Sequence, residues 1–289
     1  MVVGNTGNVT IHNGLTPEII KSLGETVAAP WKELTQEQKE IIQKQEKELG
    51  VNREAISSFL AIIREKDVPP EQWPSKLKEI AERHNALLQQ LQALPKGSPE
   101  MVALKESAKK AIAEYRYDDA DAVFDQLLAL QGEETASVWA SRAELAMTRL
   151  RYKDAAQYFA HAADALPPSR EKQKSAYQEE EANAWYQQGD EFGDNEALKK
   201  AIQVCTKLLE IQPRSRVPLD WARVQNNLGN ALRALGERES GTEKLEAAMT
   251  AFAMALDVAK ASGAGYYIKM FQRNLDKCND LLNKRKQGG

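Results

Sequence analysis

Four polar residues near the C-terminal end of the chain have a spacing suited to ligand binding on one face of a helix. They are Arg223, Asn226, Asn230 and Arg233. Successive members lie three or four residues apart, so a helix would place them on one side. A carboxamide matches the donor and acceptor of a peptide bond, and a guanidinium pairs with a carboxylate. The pattern predicts a surface for an extended peptide or a ligand carboxylate. A solvated polar face, or hydrogen bonds between helices of the chain itself, would show the same spacing.

Asn183 lies 47 residues before Asn230, and the segments that follow them are similar. GDEFGDNEALKKAIQVCTKLLEI begins at Gly189 and GERESGTEKLEAAMTAFAMALDV at Gly236, with glycine, glutamate, leucine and alanine in register. Asparagine is a mediocre helix former, so its recurrence at one mid-helix position indicates a role other than helix formation. A fixed period of this length is typical of stacked helical units, which usually present binding surfaces.

The sequence contains no recognisable catalytic, metal-binding or cofactor-binding motif. There is no glycine-rich phosphate loop, no G-x-G-x-x-G after a strand, no H-E-x-x-H and no C-x-x-C. His84 falls in a leucine pattern and His161 on a repeat helix, so packing or surface roles are expected. Cys205 and Cys278 lie far apart in helical patterns, which predicts buried small apolar residues. We therefore predict a protein that is not an enzyme and needs no cofactor.

Composition favours a soluble folded protein. The 289 residues carry 39 Lys and Arg against 42 Asp and Glu, a net charge of −3. This balance offers no basic excess for nucleic acid. No apolar run approaches the roughly 18 residues of a membrane span, and the N-terminus lacks the features of a secretory signal. A cytoplasmic location is expected, without nucleic-acid or membrane partners.

The N-terminal part is predicted to hold a flexible leader, residues 1–15, and a helical bundle, residues 16–94. Thr16 begins a capped helix start, Gly50 is a predicted C-cap and Asn52 a predicted N-cap. Within residues 75–94 apolar side chains recur at steps of three and four, which suits packing in the bundle. A coiled coil that joins two copies of the chain is the alternative. This leucine stripe comprises Leu77, Ile80, His84, Leu87, Leu91 and Leu94.

The proline-rich segment 95–99 is the strongest break in the helical pattern, and the main domain boundary is predicted there. After it, Tyr117 and Tyr152 each begin the frame Tyr-x-x-Ala-x-x-x-Phe, and NLGNAL follows at 227–232. These residues resemble the tetratricopeptide repeat (TPR) family. The sequence departs from the family at Arg142 and Glu181, where leucine is usual, and at Cys205, where an aromatic residue is usual.

The resemblance implies an all-α fold, a right-handed α-solenoid of helix–turn–helix repeats over residues 99–286. The predicted units are about 101–134, 136–169, 175–215 and 222–262, with a capping helix at 266–286. The third and fourth units carry seven extra residues, EFGDNEA and ERESGTE, which predict long turns within those repeats. Small residues are expected where helices approach closely: Ala108, Ala120, Ala143, Ala155, Ala182, Ala201, Gly229, Ala248 and Ala255.

In the family, the first helix of each repeat lines a concave groove. The resemblance therefore implies that Lys105, Lys109, Glu179, Asn183, Tyr186 and the four polar residues first described face the groove. Ala140 and Glu144 interrupt the basic run that a carboxylate-binding groove of this family would show. The candidate peptide-binding residues are Asn183, Tyr186, Arg223, Asn226, Asn230, Arg233, Lys105 and Lys109.

The main hypothesis is a non-catalytic scaffold or adaptor that binds a peptide or helix of another protein in this groove. The alternative is an oligomerisation or regulatory segment of a larger bacterial signalling or effector protein, which self-associates through the helix at 75–94. An accessory subunit of an enzyme whose active site lies on a partner is a third possibility. A looser similarity to bacterial proteins with such repeats after an effector domain underlies the alternative.

Overall fold

The computed structural model describes residues 35–93, 98–130 and 135–288, and in these ranges every regular element is helical. The predicted all-α fold class is confirmed for this part of the chain. The leader, residues 1–15, and the helix start at Thr16 lie outside the described residues. None of the described helices is long and apolar enough to cross a membrane.

The chain divides into two compact units. The first comprises Met1–Asp125 with Thr148–Leu150, and the second comprises Gln126–Met147 with Arg151–Gly289. The division falls inside a helix, whereas the sequence pattern placed a boundary at 95–99. Residues 95–97 of that segment are outside the described part.

Capping residues set the helix ends in the first unit. Gly50 has a φ of +64°, the left-handed conformation that glycine adopts without a steric penalty. The Asn52 side chain accepts a hydrogen bond from the Ala55 backbone N–H at 2.9 Å, and both predicted caps are confirmed. Ser98 caps the helix after the proline-rich segment. The helices are α1 Gln36–Leu49, α2 Arg53–Glu65, α3 Trp73–Ala93, α4 Pro99–Ala113 and α5 Tyr117–Ala129, the last of which continues into the second unit.

The leucine stripe of α3 belongs to the core of the first unit. Leu77, Ile80, His84, Leu87 and Leu91 are all buried, and α3 packs on α2. This is the bundle packing that the pattern favoured. The burial leaves these five side chains little apolar surface to offer a second copy of the chain, as the oligomerisation alternative requires.

The second unit contains helices that contact their neighbours in chain order from α7 to α12. Contacts also join α8 to α10 and α10 to α12. The first residues of these three helices, Glu171, Pro218 and Gly265, are spaced by 47 residues, the period seen in the sequence. The helices are α6 Thr135–Thr148, α7 Tyr152–Asp164, α8 Glu171–Phe192, α9 Asn195–Ile211, α10 Pro218–Arg238, α11 Glu243–Ala261 and α12 Gly265–Gly288.

The long turns predicted within the third and fourth units are wrong. Only Gly193 and Asp194 separate α8 from α9, and only residues 239–242 separate α10 from α11, because the extra residues lengthen the helices. Gly193 ends α8 with a φ of +70°, and Asp194 accepts a hydrogen bond from the Ala197 N–H at 3.1 Å. A glycine C-cap followed directly by an aspartate N-cap allows this short connection.

The small residues expected at close helix contacts are buried at all nine positions. Gly229 shows why the size matters. A Cβ atom added there would lie 2.6 Å from Cε1 of Phe252. The aromatic ring of α11 therefore occupies the space that any larger residue on α10 would need.

Candidate functional site

A pocket of about 430 Å³ lies in the second unit among α8, α10 and α12. We call it the groove pocket. Three of the candidate residues, Asn183, Arg223 and Asn226, line it together. The other lining residues are Glu179, Glu180, Asn227, Tyr267 and Met270.

An ion pair between two helices forms one wall of the groove pocket. Arg223 on α10 donates to Glu179 Oε2 on α8 at 2.5 Å, and it also contacts Asp220 Oδ1 at 3.1 Å. Glu179 is only 8% exposed. Arg223 is thus shared between two carboxylates of the chain itself, which corresponds to the alternative of hydrogen bonds between neighbouring helices.

Burial raises the pKa of Glu179 above its ordinary value, against the lowering effect of the Arg223 hydrogen bond. For Arg223, burial alone would lower the pKa, but the hydrogen bond and charge of Glu179 outweigh it and leave the pKa raised. Arg223 therefore stays charged. Since Glu179 and Glu180 face one arginine in the lining, the pocket carries an excess of negative charge when both acids are ionised. That charge disfavours a ligand carboxylate.

Asparagine side chains supply the uncharged polar groups of the groove pocket. Asn226 is 4% exposed and its Oδ1 accepts a hydrogen bond from Nδ2 of Asn274 on α12 at 2.8 Å. Asn183 is half-buried and its Nδ2 lies 3.4 Å from Glu180 Oε2, a long hydrogen bond. Asn226 thus joins two helices, whereas Asn183 and the half-buried Asn227 remain partly accessible to a ligand.

Tyr186 and Arg233 lie further along α8 and α10 and do not line the groove pocket. The Tyr186 hydroxyl donates to Asp190 Oδ2 at 3.2 Å, and Arg233 pairs with Glu237. Burial raises the pKa of Tyr186, and the nearby Asp190 charge adds to this, so the phenol stays protonated. Asn230 is half-buried and also lies outside the lining of that pocket.

The two lysine candidates lie on α4, in the first unit, whereas the other six candidates lie in the second. Lys105 is buried. Lys109 pairs with Glu106 at 3.6 Å.

Sequence reasoning missed two α12 residues: Tyr267, which lines the groove pocket, and Asn274, which donates a hydrogen bond to Asn226. The 47-residue period of the sequence could have revealed them. Asn274 follows Asn227 by 47 residues, and Asn227 follows Glu180 by 47. Treating α12 only as a cap concealed that it repeats the position of α8 and α10. Glu179 was expected to face the groove, but its role as the partner of Arg223 was not.

The two cysteines are packed inside the second unit. Burial raises the pKa of Cys205 to about 12 and that of Cys278 to about 11, so both thiols are protonated near neutral pH. Both cysteines are buried, as predicted. His161 is exposed and its ring lies 4.8 Å from that of Trp139. Within the described ranges, no group of three His, Cys, Asp or Glu side chains is arranged to hold a metal ion.

No protein-family model matches the chain, and no curated protein matches it either.

Proposed function

We propose that this protein is a non-catalytic scaffold or adaptor that binds an extended peptide segment of another protein in the groove formed by α8, α10 and α12. The observation that carries the proposal is the convergence of Asn183, Arg223 and Asn226 on one pocket. Asn183 belongs to α8, and Arg223 and Asn226 belong to α10. The spacing of these residues in the sequence had suggested that they share one surface.

The proposed architecture is a TPR-like right-handed α-solenoid, and the arrangement of α8 to α12 supports it. The three helices that line the groove pocket begin 47 residues apart and contact one another in succession. In stacked helical repeats, the equivalent helix of each repeat lines one surface. The groove pocket lies on this surface, and the same resemblance suggests a cytoplasmic protein of bacterial type.

The outer face of α12 supports its role as a capping helix. Phe271, Cys278 and Leu282 on its inner side are buried. Asp276 and Asn283 occupy the positions, 47 residues on, of Gly229 and Gly236, and both are exposed and polar. A polar outer face is what the end of a repeat array needs to remain in water.

The groove pocket favours a peptide backbone over a carboxylate as its ligand. Arg223 is already paired with Glu179 and Asp220, so its charge is not available to a ligand acid. Asn183 and Asn227 remain as partly accessible carboxamides, each able to donate to and accept from a peptide bond. Tyr267 adds an aromatic surface beside them.

A peptide selection tests the proposal. Peptides of about 12 residues are selected from a random display library on the full chain, and their dissociation constants are measured by calorimetry. Asn183→Ala with Asn227→Ala should weaken binding roughly thirty-fold, since two hydrogen bonds of about 1 kcal/mol each are lost.

Asn230→Ala is the matched control, because Asn230 shares α10 with Asn227 but does not line the groove pocket. It should leave the dissociation constant within about two-fold of the wild type, a difference of about 0.4 kcal/mol or less in binding free energy. A selection that yields no peptide, or peptides unaffected by the double substitution, would refute the proposed function.

A further inference from the structure

A second pocket, of about 470 Å³, lies between α8, the end of α9 and the start of α10. We call it the junction pocket. It shares the Glu179–Arg223 ion pair with the groove pocket, so this pair lies in the linings of both. A peptide in the groove would therefore pass close to the mouth of a second cavity.

The charges that line the junction pocket balance. Glu171 pairs with Arg216 at 2.5 Å, and Glu179 pairs with Arg223 at the same distance. Three acidic and three basic side chains occur in the lining, so its formal charge is zero and it favours an uncharged ligand. The six are Glu171, Glu179, Asp220, Lys172, Arg216 and Arg223.

Gln212 lines the junction pocket and carries an unpaired hydrogen-bond acceptor. It follows the last residue of α9, its backbone N–H donates to the Leu208 carbonyl at 2.9 Å, and the residue is 8% exposed. Its side-chain Oε1 is buried and has no hydrogen-bond partner. A buried acceptor without a partner is unfavourable, and a donor from a ligand would satisfy it.

Apolar side chains complete the lining. Val217 and Pro213 lie on the connection between α9 and α10, and Ile211 is 51% exposed although it is a large apolar residue. An exposed isoleucine beside a cavity favours contact with an apolar group of a ligand.

We infer that the junction pocket binds an apolar side chain of a peptide together with an adjacent main-chain N–H, which donates to Gln212 Oε1. The inference rests on the proposed function, since it names the class of residue that the bound peptide must present. An N–H donor matches the unpaired acceptor, the apolar group matches Ile211 and Val217, and the balanced lining favours an uncharged side chain.

The test uses N-acetyl-leucine methylamide, which carries one apolar side chain and two peptide N–H groups. It is titrated at millimolar concentration into the ¹⁵N-labelled full chain and followed by amide chemical shifts. Saturable shifts are expected at Ser175, Gln212 and Val217. N-acetyl-glutamate methylamide, which has the same backbone but a charged side chain, should bind at least ten-fold more weakly.

Gln212→Leu removes the acceptor and should weaken binding of the leucine probe at least ten-fold. Gln178→Leu is the matched control, because Gln178 Oε1 is also buried and unpaired but does not line the junction pocket. It should leave binding unchanged. Both variants should unfold at temperatures no lower than the wild type, so loss of binding in Gln212→Leu would not reflect unfolding.

The absence of saturable shifts in the wild type, or equal binding by Gln212→Leu and the wild type, would overturn the inference. Equal binding of the two probes would also overturn it. These results are distinguishable from failure of the proposed function, which the peptide selection and the substitutions at Asn183 and Asn227 test separately.

Discussion

Arg238 and Arg285 make the same contact 47 residues apart. Arg238 donates to the Gly189 carbonyl at 2.7 Å, and Arg285 donates to the Gly236 carbonyl at 2.5 Å. Arg238 on α10 thus binds a carbonyl in the last turn of α8, and Arg285 on α12 binds a carbonyl in the last turn of α10. The last four carbonyls of a helix lack partners within that helix. A cation at this end also interacts favourably with the helix dipole. The period therefore extends through α12.

Arg285→Ala should destabilise the second unit. Arg285 also donates to the carbonyls of Glu237 and Gly241, so its removal leaves several carbonyls of the α10–α11 connection without a charged donor. We expect a loss of about 1.5 kcal/mol in the free energy of unfolding, measured by urea titration with circular dichroism. Lys284→Ala, an exposed neighbour on α12, should change it by less than about 0.5 kcal/mol. Equal effects of both substitutions would contradict the capping role.

Gly229→Ala should destabilise the fold although alanine is the better helix former. The helix preference would gain up to about 1 kcal/mol, but the clash with the Phe252 ring should cost about 1–3 kcal/mol. Thermal unfolding measures the destabilisation by Gly229→Ala in the wild-type protein and in the Phe252→Leu variant. The destabilisation should be smaller in Phe252→Leu, because the aromatic ring that causes the clash is absent. Gly265→Ala is the control, because an added Cβ there meets no atom within 4 Å. A stabilised Gly229→Ala variant would contradict the close packing.

The first unit should lose stability as the pH falls below neutrality because of His84. Its ring is buried between aromatic neighbours, with Nδ1 3.0 Å from the Tyr117 hydroxyl, and burial lowers its pKa from 6.5 to about 4. The folded protein therefore keeps His84 neutral at a pH where the unfolded chain is protonated. The stabilisation is present above pH 6.5 and falls by about 3 kcal/mol as the pH drops to about 4.

Urea unfolding between pH 7 and pH 4 measures this effect. His84→Phe cannot titrate, so its stability should fall less steeply over that range than the stability of the wild type. Identical slopes for His84→Phe and the wild type would show that other groups cause the acid sensitivity.

Leu87→Asp should unfold the first unit rather than dissociate an oligomer. Leu87 is 1% exposed, and a carboxylate buried there without a partner should cost about 4 kcal/mol or more. Circular dichroism should show a loss of helix, and analytical ultracentrifugation of the wild type should show one mass over the concentration range. A concentration-dependent mass that Leu87→Asp abolishes without loss of helix would instead support self-association through residues 75–94.

Much of the local structure could be predicted because its causes lie within a few residues. Gly50 and Asn52 end and begin helices through their own backbone and side-chain preferences. The buried small residues were also found, since their spacing follows the helical turn. The 47-residue period came from the sequence as well, although only its first two copies were recognised.

The composition of the groove pocket was decided by tertiary structure. Arg223 looked available to a ligand because it shares a polar stripe with Asn226 and Asn230, yet Glu179, 44 residues earlier, pairs with it. Asn226 is likewise occupied by Asn274. Helical periodicity determines which residues share a face of one helix. The partners of that face depend on how successive helices are aligned in space, and this alignment follows from packing at contacts such as Gly229 with Phe252.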